Sequence, residues 1–150
     1  MIELFFKPKS VAVIGASGTP GKLGYVIMKN IADSDFSGDV YPVNPKSDEI
    51  LGYKVYRSIT EIPGDVDLVV TALPTPKITV ATMEECAKKS VKAVIIESAG
   101  FAEMGGEGKV YQDQIVDIAK KNNIRVMGPN CSGIVSREIV TSIYPMTKKV

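Results

Sequence analysis

The sequence predicts an α/β fold, a doubly wound parallel sheet forming a single domain over residues 1–150. Three observations lead there. Short β-rich runs alternate with helical stripes, several of those runs are apolar throughout, and glycine-rich or proline-rich segments follow them. Strand–helix alternation builds an open parallel sheet, and unbroken apolar runs suit strands covered on both faces.

The strands expected are Val11 to Ile14, Val40 to Val43, Val66 to Val70 and Ala93 to Ile96, with a weaker fifth from Ile124 to Met127. Leu23, Val26, Ile27 and Ile31 fall on one helical face after the first strand. Val80, Met83 and Ala87 make a second stripe, opened by Thr75 as N-cap and Pro76 at the first helical position. Tyr111, Ile115, Ile118 and Ala119 make a third, ending in Lys120 and Lys121, cations suited to a helix C-terminus. Residues 50–63 read as an extended excursion with a short helical piece from Ser58 to Ile62, not as a crossover helix. The alternation as a whole is Rossmann-like, and such sheets bind ligands beyond the carboxyl ends of their strands.

The composition narrows the function classes. A formal net charge of +1 leaves no bulk field to draw the chain to nucleic acid or an anionic membrane. No apolar run approaches a membrane span, and the short patch Ile2, Leu4, Phe5, Phe6 is no signal peptide, so the expectation is a cytoplasmic protein. Two cysteines make neither a disulfide framework nor a zinc site. Histidine is absent, so no mechanism that needs an imidazole can be completed by these residues.

The first strand runs into Gly15-Ala16-Ser17-Gly18-Thr19-Pro20-Gly21-Lys22-Leu23-Gly24. Glycines permit close backbone approach, and the helix that follows offers unpaired N–H groups to a phosphate. A packing turn is the plainer alternative; the position between first strand and first helix favours anion binding. Ser17 stands where the G-x-G-x-x-G dinucleotide fingerprint needs its second glycine, and Leu23 follows Gly21-Lys22 where a Walker A loop needs Ser or Thr.

After the second strand, where an NAD site places a carboxylate, stand Asn44-Pro45-Lys46. Lys46 suits a phosphate on an adenosine ribose, as in NADP or coenzyme A, although many lysines in turns simply meet solvent. Ala72, Leu73 and Pro74 leave the third strand on an extended path with apolar contact surface. Ser98, Ala99 and Gly100 leave the fourth. Glu97 before them has no partner carboxylate or histidine in view and reads as a structural acceptor. Residues 128–133, Gly-Pro-Asn-Cys-Ser-Gly, can form a nest of N–H groups for an anion. Cys131 there reads as a packed thiol or a non-covalent ligand contact, and Cys86 as core.

In combination these segments resemble the N-terminal coenzyme-A-binding domain of NDP-forming acyl-CoA synthetases, including ADP-forming acetyl-CoA synthetase, with the succinyl-CoA synthetase α-subunit more distant. The matching stretches run from Phe6 to Ser17, Tyr41 to Lys46, Ser98 to Phe101 and Gly128 to Gly133. The resemblance implies coenzyme A or acyl-CoA as ligand, held by Gly15, Ser17, Gly18, Thr19, Pro20 and Gly21 at its phosphates and by Asn44, Pro45 and Lys46 at the nucleotide. It places Ala72, Leu73 and Pro74 beside the adenosine or the pantetheine, counts Ser98, Ala99 and Gly100 among the ligand contacts, and turns the Gly128 to Gly133 loop, with Asn130 and Cys131, toward the phosphohistidine region. It further implies an ATP-grasp partner and a histidine-bearing second domain, which convert acyl-CoA, phosphate and ADP to acid, CoA and ATP through a phosphohistidine lying outside this chain. No residue here is expected to be catalytic. A stand-alone CoA-binding or CoA-sensing protein and the cofactor half of an NADP-dependent oxidoreductase are the alternatives.

Overall fold

A computed structural model describes residues 2–146. The expected domain span of 1–150 therefore includes Met1 and residues 147–150, which lie outside the described residues. Five parallel strands form the main sheet: β1 (Ser10–Ile14), β2 (Asp39–Val43), β5 (Leu68–Thr71), β6 (Ala93–Ile96) and β7 (Arg125–Met127), in the order β2-β1-β5-β6-β7. A hairpin of β3 (Glu49–Ile50) and β4 (Tyr53–Lys54) lies between β2 and β5 in sequence. Three helices connect the strands: α1 (Leu23–Asp33), α2 (Pro76–Lys88) and α3 (Gly106–Asn122).

All five expected strands and all three helices are present. The sheet core is built from strand alternation. Val11 and Val13 of β1, Leu68 and Val70 of β5, and Ile95 of β6 pack with Ile27, Met28 and Ile31 of α1. Ala12, Ile14, Val69, Val94 and Ile96 face the other way, toward Met83 and Cys86 of α2 and Ile115 and Ile118 of α3. Both faces are therefore apolar, and every residue of β1, β5 and β6 is buried.

Local chemistry sets the boundaries. β5 begins two residues later than the apolar run suggests, because Asp67 is tied to the neighbouring chain: its carboxylate accepts from Lys9 N–H at 2.8 Å and its own N–H donates to Ser10 Oγ at 3.0 Å. α2 opens as expected, with Thr75 Oγ1 accepting from Ile78 N–H and Pro76 in the first turn. Leu23 departs from its expected stripe: it starts α1 and stays 49% exposed, while Met28 takes the buried place. The excursion after β2 is the β3–β4 hairpin, turned by Leu51 and Gly52, both at positive φ as a type I′ turn requires, followed by a 3-10 turn at Ile59–Glu61.

The sequence reading assigned nothing to residues 134–146, and they complete the α1 face. Val135 bridges Val140, Thr141 N–H donates to Ile134 carbonyl at 2.8 Å, and Ile134 and Ile139 enter the α1-side cluster. Asn30, buried on α1, anchors this segment. Its Nδ2 donates to the carbonyls of Ser142 and Tyr144, both at 2.8 Å, and its Oδ1 accepts from Met146 N–H at 3.1 Å. No helix among the described residues is long and apolar enough to cross a membrane.

Replacing Asn30 by Ala strands those carbonyls beside a cavity, a cost of about 1–3 kcal/mol for buried polar groups left unpaired. Urea denaturation of Asn30→Ala is expected to show a lower midpoint, and limited proteolysis to cut within 134–146 sooner than in the unaltered chain. An unchanged midpoint would show that the segment is not held by Asn30.

Candidate functional site

The chain moves from β1 to β2 on one side and then crosses to β5 on the other, so β1 and β5 flank the switch point of the sheet. The segments leaving those two strands meet there. Gly15 has φ +89, and a Cβ on it would come within 2.4 Å of the Ala72 carbonyl oxygen. Gly24, on the first turn of α1, is packed so tightly that a Cβ would lie 2.0 Å from the Gly15 carbonyl oxygen. Glycine is required at both places because backbone meets backbone.

Between them residues 17–22 arch outward, with Gly18, Thr19, Pro20, Gly21 and Lys22 exposed. The N-cap of α1 is Lys22, whose side chain makes no capping bond, so the first helical N–H groups face the open end of the sheet without a side-chain acceptor. Such a terminus carries partial positive charge and suits an anion. Ser17 Oγ accepts from Thr19 N–H at 3.1 Å and shapes the arch while its own O–H remains available to donate. Lys22 adds a cation that the sequence reading left without a role, and its place beside an uncapped helix start was the available signal.

The turn after β2 is braced from two sides. Asn44 Nδ2 donates to the Ala16 carbonyl at 2.8 Å, and its Oδ1 accepts from Lys46 N–H at 2.7 Å. Arg57 closes the turn from below, donating to the Pro45 and Ser47 carbonyls and pairing with Asp48 at 2.5 Å. Asn44 thus binds the turn to the glycine arch. Lys46 is exposed, and its ammonium makes no ion pair among the described residues.

At the next two exits the side chains expected to touch ligand serve the protein as well. Ala72 N–H donates to Ile14 carbonyl at 2.9 Å, continuing the β1–β5 ladder. The buried Ser98 hydroxyl donates to the Leu73 carbonyl at 2.7 Å and accepts from Leu73 N–H at 3.1 Å, which fixes the Ala72-Leu73-Pro74 path. Ala99 is exposed and Gly100, at φ +104, donates its N–H to Glu103 at 2.6 Å. That bond holds the Glu103 carboxyl below its ordinary range.

Residues 128–133 approach the same edge. Asn130, at φ +54, donates its N–H to the Ser98 carbonyl at 2.9 Å, so this amide of the expected nest is already engaged. Cys131 is half-buried, its thiol directed to the Ile96 carbonyl at 3.5 Å, and burial raises its pKa. A thiol held protonated is a poor nucleophile, in keeping with a packed role. Cys86 is core, with burial pushing its thiol up to about 12.

Glu97 corrects the sequence reading. It was expected to be a structural acceptor, yet it is 5% exposed and neither carboxylate oxygen has a hydrogen-bond partner. Burial alone pushes its carboxyl up to about 8, so it is mostly uncharged at neutral pH.

Comparison with known proteins establishes the family. The CoA binding domain family matches residues 9–137. The chain belongs to that family. Its relatives include an acetate–CoA ligase [ADP-forming] II of Archaeoglobus fulgidus, 47% identical over 98% of this chain and 22% of the relative. The α-subunit of acetate–CoA ligase [ADP-forming] I of Pyrococcus furiosus is 49% identical, over 89% of this chain and 30% of that subunit. A solved dinucleotide-forming acetyl-coenzyme A synthetase 1 of Ca. Korarchaeum cryptofilum, in complex with phosphate and ADP, superposes with a TM-score of 0.91 at 32% identity, covering 97% of this chain and 31% of that one. The domain is thus homologous to the CoA-binding part of ADP-forming acyl-CoA ligases, and it spans less than a third of each of these proteins.

A carboxyl whose pKa is higher in the folded than in the unfolded chain binds its proton more tightly in the native state. The stabilisation this gives is complete below the ordinary carboxylate range and is lost as pH rises through about 8. Glu97→Gln is therefore expected to match the unaltered chain in thermal stability below pH 4.5, to gain on it steadily from there to about pH 8, and to keep a constant advantage above that. Parallel melting curves across that range would contradict the placement of Glu97.

Proposed function

We propose that this chain holds coenzyme A across the β1–β5 switch point and serves as the CoA-binding part of an ADP-forming acyl-CoA synthetase. The observation that carries the reading is the uncapped start of α1 beneath an arch of glycine, serine and threonine, beside two exposed lysines. Charge-assisted hydrogen bonds to phosphate are the strong ones, and the arch concentrates the donors that make them.

In this reading the diphosphate lies over residues 17–22, met by backbone N–H groups, the Ser17 and Thr19 hydroxyls and Lys22. Lys46 reaches the phosphate on the ribose, from a turn that Asn44 and Arg57 keep in place. Gly15, Gly18, Pro20 and Gly21 shape the arch, while Ala72, Leu73 and Pro74 border the pantetheine chain. Ser98, Ala99, Gly100, Asn130 and Cys131 line the far end, some by backbone alone because their polar side-chain or amide groups are already bonded. The catalytic steps belong to parts beyond these residues: a histidine-bearing second domain that carries phosphate, and an ATP-grasp partner that exchanges it with ADP. The domain's own contribution is to bind and orient the thioester. The reading places the protein in the cytoplasm.

Calorimetry is expected to give tighter binding of CoA than of dephospho-CoA, with Lys46→Ala narrowing the difference by several-fold, the scale of one solvent-accessible charged contact. CoA is expected to raise the melting temperature well beyond NADP or NAD at equal concentration, since a ligand stabilises in proportion to its affinity for the native state. A shift with NADP equal to that with CoA would overturn the assignment.

A further inference from the structure

A groove away from the glycine arch runs along the outer side of β7, between that strand and α3, with a volume of about 340 Å³. Ile115, Val116, Ala119, Ile124 and Val126 give it an apolar lining. β7 is the last strand of the sheet, so no strand pairs with its outer side among the described residues. Register decides what that side presents. In a parallel ladder, successive residues of a strand turn their backbone groups to opposite sides. Arg125 N–H donates to the Lys92 carbonyl at 2.8 Å, so Arg125 and Met127 bond toward β6. Val126, between them, turns its N–H and C=O to the open side.

The charge along this edge has one sign. Lys120 and Arg125 line the groove and no Asp or Glu does, while Lys92 stands exposed beside Arg125 at the amino end of β7. None of the three cations is in an ion pair among the described residues. Cations on an edge strand deter pairing with other open edges, yet they admit a strand that carries acids. A second copy of this chain is the poorer occupant. A two-fold contact lays the patch against itself, and these cations then meet no opposite charge. Open backbone groups beside an apolar groove are what strand addition uses: main-chain bonds hold the added segment, and the groove takes its alternate side chains.

We propose that β7 and α3 together dock an extended acidic segment of a partner protein, added to the sheet as a further strand beside β7. Its apolar side chains enter the groove, its backbone bonds to Val126, and its carboxylates meet Lys92, Lys120 and Arg125. The inference is independent of the coenzyme A reading, since no residue of the arch or of the Asn44-Pro45-Lys46 turn lines the groove.

A phage-displayed library of random octapeptides, selected on the whole chain, supplies the probe. Selection is expected to enrich peptides that alternate apolar residues and carry acids at one end. No enrichment, or enrichment of basic peptides, would overturn the proposal. An enriched acidic peptide is expected to slow hydrogen exchange at the Val126 amide, and to bind about tenfold more weakly to the double variant Lys120→Glu, Arg125→Glu. Val126→Pro removes the outward N–H, leaves the bonds to β6 in place, and is expected to lose the peptide as well. If that variant does not fold, the exchange measurement and the charge reversal decide. Binding that leaves the Val126 amide exchanging as before, or that survives charge reversal, sinks the idea. Dimers in which that amide is protected without peptide would make a second copy the occupant and overturn it equally.

Discussion

Backbone against backbone at the exit of β1 is the constraint on which the site depends. Gly15 is pressed to the Ala72 carbonyl and Gly24 to the Gly15 carbonyl, so that a single methyl at either would collide at 2.4 Å or 2.0 Å. This contact brings the first turn of α1 down onto the end of β1 and next to the end of β5. Because α1 starts so close to the strand, the intervening arch has nowhere to go but outward, and its N–H groups turn toward the open edge. The helix start has no side-chain cap and lies where the sheet order reverses, the place in which the proposed reading puts the phosphates.

The remaining exits are braced to that contact by polar side chains that reach across neighbouring strands. Asn44 ties the β2 turn to Ala16, Ser98 ties the β6 exit to Leu73, and the Ser98 carbonyl in turn holds Asn130. The three bonds tie the β1 exit to the β2 turn and the β5, β6 and β7 exits to one another, five loops along one edge. Glu97, in the midst of them, is left without a partner, and the same burial that protects the bonded groups keeps its proton on. The Thr71 hydroxyl, at the end of the neighbouring strand, is also buried without a partner. On the far side of the sheet α2 and α3 pack through Met83, Cys86, Ile115 and Ile118.

Much of this was legible in the residues. Apolar runs located β1, β5 and β6 because a strand covered on both faces must be apolar throughout, and Thr75-Pro76 marked a helix start because capping is a local interaction. The glycine arch was legible through spacing, and the Asn-Pro-Lys turn through the missing carboxylate. What escaped depends on contacts between distant residues. Asn30 and residues 134–146 lie more than a hundred positions apart, and no local pattern joins them. The roles of Asn44 and Ser98 as braces emerge only when their partners are in place. The enclosure of Glu97 without a partner has no signature at one position of a sequence, since it depends on residues 131–141 packing against the end of β6.

The central claim is that coenzyme A lies over the glycine arch at the β1–β5 edge of the sheet. Amide chemical-shift mapping of the labelled chain during addition of CoA tests it most directly. The account predicts perturbations contiguous along residues 16–23, 46, 72–74, 97–98 and 131–133, with little change on α2 and in the body of α3. Perturbations centred instead on the groove between α3 and β7, or confined to scattered lysines, would contradict it.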